Sequence, residues 1–181
     1  MIFIFTKYKM VSIGPSSQGT NFTHMFDFVD LRGKKNIQKV ESKSLMGVIN
    51  TNPNFSKFKI VVKLAMMESV LESAQSDFTL FIPSDQEIKR LSNDFFEEMD
   101  IGLARHIVKT AMINRKIPSE LLEDSAASYF ITNDPPNKLF VWNEEGNTFI
   151  NKDVKIIQKD IITSNGIIHV IDKLIWPYLP F

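Results

Sequence analysis

Between residues 52 and 113 the apolar positions recur mostly at helical spacing. Phe55, Phe58, Val62 and Ala65, flanked by Val61 and Leu64, form one stripe that predicts a helix to about Met67. Asn52-Pro53 stands before it, a capping side chain followed by proline at the first helical position, where a missing N–H is harmless. Val70, Leu71 and Ala74 predict a second, short helix. Phe78-Thr79-Leu80-Phe81-Ile82 then changes to strand character and is stopped by Pro83. Ser84-Asp85-Gln86-Glu87 has the form of a capping box, in which the Ser84 hydroxyl takes the Glu87 amide and the Glu87 carboxylate reaches back. Asp94 and Glu97 repeat that spacing. They predict one longer helix through Ile101, Leu103, Ile107 and Val108 to about Ile113.

After Pro118-Ser119-Glu120-Leu121-Leu122 the pattern becomes strand-dominated, with candidates at 128–133, 138–143, 147–151, 153–163 and 167–175. Asn165-Gly166 between the last two predicts a hairpin with a type I′ turn, whose central residues both need positive φ. Helices first and strands afterwards indicate an α+β domain over residues 44–181. Residues 1–43 differ. The turn-rich run Ile13 to Gly19 separates a short apolar start from the strand-like His24 to Leu31, so this segment reads as an extended arm with one or two strands. Its Phe3, Phe5, Phe22, Phe26 and Phe28 are too apolar for a free tail and call for burial, either on their own domain or on a neighbouring subunit.

Charge sharpens that division. The chain of 181 residues is neutral overall, with 21 basic and 21 acidic residues. Residues 1–43 hold seven basic residues against three acidic ones, a balance of +4, which the remaining fourteen against eighteen offset at −4. Arg32, Lys34 and Lys35, followed by Lys39 and Lys43, form the one local basic group. Without interleaved aromatics it is a solvated loop or a contact for an acidic protein surface, and no nucleic acid is expected. The absence of cysteine removes thiol catalysis, cysteine-zinc sites and a disulfide scaffold. No apolar run approaches the roughly 18 residues of a membrane span, and the N-terminus lacks the order of a secretory signal, so neither secretion nor membrane insertion is expected.

Two strings together resemble the fasciclin-I domain family. Phe78-Thr79-Leu80-Phe81-Ile82-Pro83-Ser84-Asp85-Gln86-Glu87-Ile88 is similar to its first signature through Thr79, Phe81, Pro83, Ser84 and Asp85. Asn165-Gly166-Ile167-Ile168-His169-Val170-Ile171-Asp172-Lys173-Leu174-Ile175-Trp176-Pro177 is similar to its second, through Asn165, Gly166, His169, Asp172 and Pro177. The segment Asn52 to Phe58 also resembles the family's opening helix, and the whole spacing fits one module over about residues 44–177. The resemblance implies a wedge of β-strands packed with several short helices, and protein–protein binding in place of catalysis. Members used in adhesion often carry a Tyr-His pair where this chain has Thr110 and Ala111, so the contact attributed to that pair does not carry over. Nothing in residues 1–43 resembles the family.

Few residues suggest chemistry. Strand alternation puts His169 and Asp172 on opposite faces, which excludes a dyad and leaves His169 as a hydrogen-bonded structural group, with the Asp85 region as the expected partner. His24, His106 and His169 lack metal-ligand spacing, and no cofactor is implied. Glu97-Glu98, Glu123-Asp124 and Glu144-Glu145 are adjacent pairs, which point apart and read as solvated surface. The expectation is a non-enzymatic structural or interaction protein, whose arm fastens the module into a larger assembly of other proteins or its own copies. Its 22 Ile, 15 Phe and 13 Asn without cysteine suggest an AT-rich coding genome and an intracellular folding site, which a minor capsid protein of a large virus would fit. The alternatives are a secreted or surface adhesion protein, and a small-ligand binder or enzyme with a pocket near Tyr129, Phe140 and Trp142.

Overall fold

The computed structural model describes residues 8–12, 26–30, 35–36, 43–89, 91, 93–124 and 127–178. The chain divides into two compact units, residues 1–42 and 43–181. In the first, β1 (Tyr8–Ser12), β2 (Phe26–Asp30) and β3 (Lys35–Asn36) form an antiparallel sheet in the order β1-β2-β3. Three short strands thus appear where the sequence suggests one or two. Phe3, Phe5, Phe22, Arg32 and Lys34 lie outside the described residues, and of Phe26, Phe28 and Lys35 only the strand positions are described.

The second unit opens with α1 (Leu45–Thr51), a helix too short for its apolar period to be recognised in the sequence, capped by the Ser44 side chain on the Gly47 amide at 3.0 Å. The Asn52 cap follows, accepting from the Asn54 amide at 3.0 Å, but the proline turn that it starts is a 3₁₀ turn, Pro53–Phe55, before α2 (Ser56–Leu64). Next come α3 (Glu68–Glu72), β4 (Phe78–Pro83), α4 (Asp85–Ile88), α5 (Asn93–Glu97) and α6 (Ile101–Thr110). The single long helix expected to Ile113 is two. Asp100 adopts an extended conformation and its carboxylate accepts from the Leu103 amide at 2.7 Å, so it starts a helix where a continuous one would need helical backbone. After β5 (Met112–Ile113) and α7 (Ser119–Glu123), five strands complete the chain: β6 (Ala127–Ile131), β7 (Lys138–Glu144), β8 (Asn147–Ile150), β9 (Val154–Thr163) and β10 (Gly166–Ile171).

The seven later strands form one sheet in the order β5-β4-β10-β9-β8-β7-β6. Its two outer edges approach each other just past β6, where the Asn133 amide donates to the Met112 carbonyl at 2.9 Å, giving an almost closed wedge. Among the described residues β4 and β10 are the only parallel pair, Phe78 opposite Gly166 and Pro83 opposite Ile171. Both are buried on each face, which accounts for their nearly continuous apolar runs. Leu80, Ile82, Ile168 and Val170 enter a core shared with helices α1 to α6, while Phe81 and Ile171 enter a second core inside the wedge with Leu139, Val141 and Ile150. The fold is therefore α+β, a wedge of strands with several short helices.

The hairpin from β9 to β10 forms, but its turn differs from the one expected. Thr163 pairs with Gly166, so the loop residues are Ser164 and Asn165, and neither has positive φ. Gly166 is needed for another reason: a Cβ there would lie 2.4 Å from the Phe78 carbonyl oxygen and 2.9 Å from the Leu45 side chain. The hairpin that does use positive φ joins β7 to β8 through Glu145 (φ 49°) and Gly146 (φ 76°).

Candidate functional site

The parallel pairing of β4 and β10 brings the two signature strings side by side at the centre of the molecule. Along them Thr79, Asp85, Asn165, His169 and Asp172 form internal hydrogen bonds. Thr79, fully buried, donates to the Arg115 carbonyl at 2.7 Å and accepts from the Ile117 amide at 2.8 Å. Phe81 lies opposite His169, their rings stacked with centroids 5.5 Å apart. Pro83 ends β4.

Asp85 departs from the local expectation. The Ser84 hydroxyl makes no capping bond at α4. Instead the Asp85 carboxylate reaches back 29 residues to the start of α2, taking the amides of Ser56 at 3.1 Å and Lys57 at 2.8 Å as well as the Ser56 hydroxyl. A carboxylate there satisfies two orphan amides and opposes the positive end of the helix dipole. Replacing Asp85 with alanine is expected to destabilise the domain by about 1–2 kcal/mol, read as a lower urea midpoint at unchanged slope.

Asn165 is the most heavily used side chain of the second string. Its Oδ1 accepts from the Leu45 amide at 2.8 Å, and its Nδ2 donates to the carbonyls of Leu71 and Ser73, both at 2.9 Å. The hairpin turn is thereby tied to the start of α1 and the end of α3. His169 is fully buried; Nε2 donates to the Ile117 carbonyl at 2.9 Å and Nδ1 accepts from the Asp160 amide at 3.3 Å. These partners replace the Asp85 region as the expected one. Burial pulls its pKa below the ordinary imidazole value, against the opposing effect of the bond to Ile117. Asp160 sits at a break in the β9–β10 register with φ 58°, and its carboxylate takes the amide and hydroxyl of Ser119 at the start of α7. Sequence reasoning missed it, because a carboxylate inside a strand gives no signal that it caps a helix 41 residues earlier. Asp172 exchanges bonds with Lys155, accepting its amide at 2.7 Å on the side chain. Pro177 follows the half-exposed Trp176, whose ring meets Phe95 edge-on at 5.3 Å.

A second polar group was invisible in the sequence. Asp134, nearly buried, accepts from His106 Nδ1 at 2.8 Å, Thr110 Oγ1 at 3.1 Å and Asn137 Nδ2 at 3.0 Å, while Asn137 Oδ1 takes the Tyr178 amide at 2.7 Å. It fastens α6, the 132–137 turn and the C-terminal segment together. Thr110, at the position of the family's Tyr-His pair, spends its hydroxyl here. Only the Asn137 bond is local; the bonds from His106 and Thr110 span 28 and 24 residues, beyond any local motif.

Among the described residues no group of three or more His, Asp or Glu could hold a metal ion. The adjacent carboxylate pairs are all exposed. A cleft of about 520 Å³ lies between Ile88, Leu91, Val154 and Trp176, bordered by Lys152 and Asp153. Asp153 is bonded to Lys173 at 2.6 Å, which holds its carboxyl below the usual range, and Glu87 and Asp172 also line the cleft. No helix among the described residues is long and apolar enough to cross a membrane. Tyr129, Phe140 and Trp142 lie on the outer sheet face, where the sequence suggested a pocket: the exposed Tyr129 lies against the half-buried Phe140 at 4.8 Å, and the half-buried Trp142 stacks on Phe149 at 4.6 Å.

The wedge, its central parallel pair and the internally bonded signature strings define a fasciclin-type module. The family model for the fasciclin domain matches residues 53–177, and the chain belongs to that family. Human periostin (Homo sapiens) is 26% identical over 167 residues, covering 90% of this chain and 18% of periostin. Stabilin-2 of Rattus norvegicus is 25% identical, covering 74% of this chain and 9% of that protein. Protein sll1483 of Synechocystis sp. is 24% identical, covering 78% of this chain and 79% of that one. The chain thus spans less than a fifth of the two animal relatives. A solved FAS1 domain pair from the insect cell adhesion molecule fasciclin I superposes with a TM-score of 0.62 at 18% identity, covering 96% of this chain and 67% of that structure.

Proposed function

We propose that this protein is a non-enzymatic interaction module that works as a structural component of a larger protein assembly, with residues 1–43 as the fastening arm. The observation that carries the reading is the fasciclin domain match over residues 53–177, joined to signature strings whose Thr79, Asn165 and His169 are spent on internal bonds. We assign those signature residues to holding the fold, which leaves binding to the surface. The finer form of the reading is a minor capsid component of a large virus, supported by composition alone: rich in Ile, Phe and Asn, and free of cysteine. The charge division, +4 in the arm and −4 in the remainder, supplies an attraction effective over about a Debye length, roughly 8–10 Å.

Light scattering on the purified chain is expected to show particles larger than a dimer, and removal of residues 1–42 to abolish them while the domain stays folded by circular dichroism. A truncated protein that still forms such particles removes the arm from this role. The adhesion reading is favoured by the insect cell adhesion molecule among its structural neighbours. Localising the native protein separates the two, since adhesion requires it at the cell surface or in the matrix.

A further inference from the structure

The outward face of the wedge at β6, β7 and β8 breaks the usual rule for a sheet with one solvated side. Such strands ordinarily alternate apolar inward with polar outward. Here Phe130, Leu139, Val141 and Ile150 point into the core, and the positions between them are also apolar. Pairing sets Tyr129 opposite Phe140, Ala127 opposite Trp142, and Trp142 opposite Phe149, all on the outer face. Tyr129 is 72% exposed and Ile131 is 68% exposed, Phe140, Trp142 and Phe149 are half-buried, and Lys155 of β9 borders Phe149. Contiguous apolar surface of this kind on a soluble protein marks a binding site.

The charges at its ends identify the occupant. On this face β7 reads Lys138, Phe140, Trp142, Glu144, with opposite charges six residues, or about 20 Å, apart. Neither Lys138 nor Glu144 has an ion-pair partner among the described residues. A two-fold axis lying in the plane of contact, at right angles to β7 and passing over Val141, reverses the strand. It puts Lys138 of one copy over Glu144 of the other at both ends, Phe140 over Trp142, and the bulky Tyr129 over the small Ala127. Tyr129 meets the smaller Ala127, the two aromatic rings of β7 meet each other, and Lys138 meets Glu144, which is the self-complementarity that an isologous contact requires. Such stacking is also the ordinary way for two sheets to pack, about 10 Å apart and within roughly 30° of alignment.

We propose that the Tyr129–Phe140–Trp142 face is the docking surface for a second copy of this chain, stacked face to face with β7 antiparallel to its mate. Four strands about 4.8 Å apart over a 20 Å run give a footprint below the roughly 800 Å² per partner of a standard interface, so the dimer is weak and concentration-dependent. The inference does not rest on the arm: removal of residues 1–42 tests the arm, and substitutions on this face test the stacking.

Sedimentation velocity of the full chain from about 1 to 500 μM is expected to show a reversible monomer–dimer step, from which the larger, arm-dependent particles are built. Tyr129→Lys with Ile131→Lys, both at exposed positions, is expected to abolish the dimer without changing the circular dichroism spectrum. Lys138→Glu alone and Glu144→Lys alone are each expected to weaken it at least tenfold, since each places two like-charged pairs in the contact. The double charge swap restores it to within about threefold. A chain that remains monomeric throughout overturns the proposal. So does a dimer that survives the lysine substitutions, one lost only when residues 1–42 are removed, or two charge changes that add without rescue.

Discussion

Replacing Asn165 with alanine is expected to lower the stability of the domain by about 3–5 kcal/mol, the largest effect of any single side chain discussed above. The change strands three main-chain groups at once: the Leu45 amide and the carbonyls of Leu71 and Ser73. Each buried group left without a partner costs about 1–3 kcal/mol, and Ser73 falls at the lower end because it is only partly buried. Asn165→Asp should be no milder, although it keeps an acceptor for Leu45. Its second oxygen would face two carbonyl oxygens, and it would bring a charge into a fully buried site. Urea unfolding followed by fluorescence reads both variants. A loss below about 1 kcal/mol for Asn165→Ala would mean that the turn is not the tie described here.

His169→Phe is expected to cost about 3 kcal/mol at pH 7.5, and less as the pH falls. The phenyl ring preserves the volume beside Phe81 but leaves the Ile117 carbonyl and the Asp160 amide unpaired. The pH dependence follows from the direction of the histidine's shift. Its pKa in the folded state lies below the ordinary value near 6.5, so below that pH the unfolded chain binds the proton more readily. The native protein therefore keeps the full contribution of His169 above about pH 6.5 and loses it as the pH falls towards the lowered folded-state value. The phenylalanine variant lacks this component, so the two stability curves converge on acidification. NMR supplies the direct check: the neutral tautomer with the proton on Nε2 should persist through pH 6.5. An imidazole that titrates at its ordinary value would contradict the assignment.

The fold was legible where local rules and tertiary demands agree. The stripe of Phe55, Phe58 and Val62 and the apolar run of Phe78 to Ile82 each have one physical solution, and both were recognisable. Asn165-Gly166 marked a hairpin correctly for the wrong reason. The pair satisfies a turn that needs positive φ, yet here Asn165 is a three-way tie and Gly166 makes room for the Phe78 carbonyl. The true positive-φ turn carries a weak signal in the sequence, because Glu145 is no turn former. Asp85 shows the same conflict from the other side. A capping box predicts a bond within four residues, but the orphan amides of α2, 28 and 29 residues earlier, take the carboxylate instead. Asp100 splits a helix that periodicity alone would continue. The polar group around Asp134 combines three distant segments, and periodicity carries no information about which loops converge. The outer face of β6 to β8 was visible only as scattered aromatics, since strand register, which places Tyr129 beside Phe140, is a property of the folded sheet.

The tie between Leu45 and Asn165 also dates the folding of the chain during synthesis. Its two ends are 120 residues apart, and the parallel mate of β4 arrives with the same late segment. At about 5–20 residues per second, the first helix waits roughly 6–24 s after its own synthesis for its permanent partner. Through that interval the apolar faces of α1 to α6 and the edge of β4 have no central strand to cover them. The nascent domain therefore cannot cover these faces until Asn165 and β10 are made, and any stop before Asn165 releases a chain that cannot close.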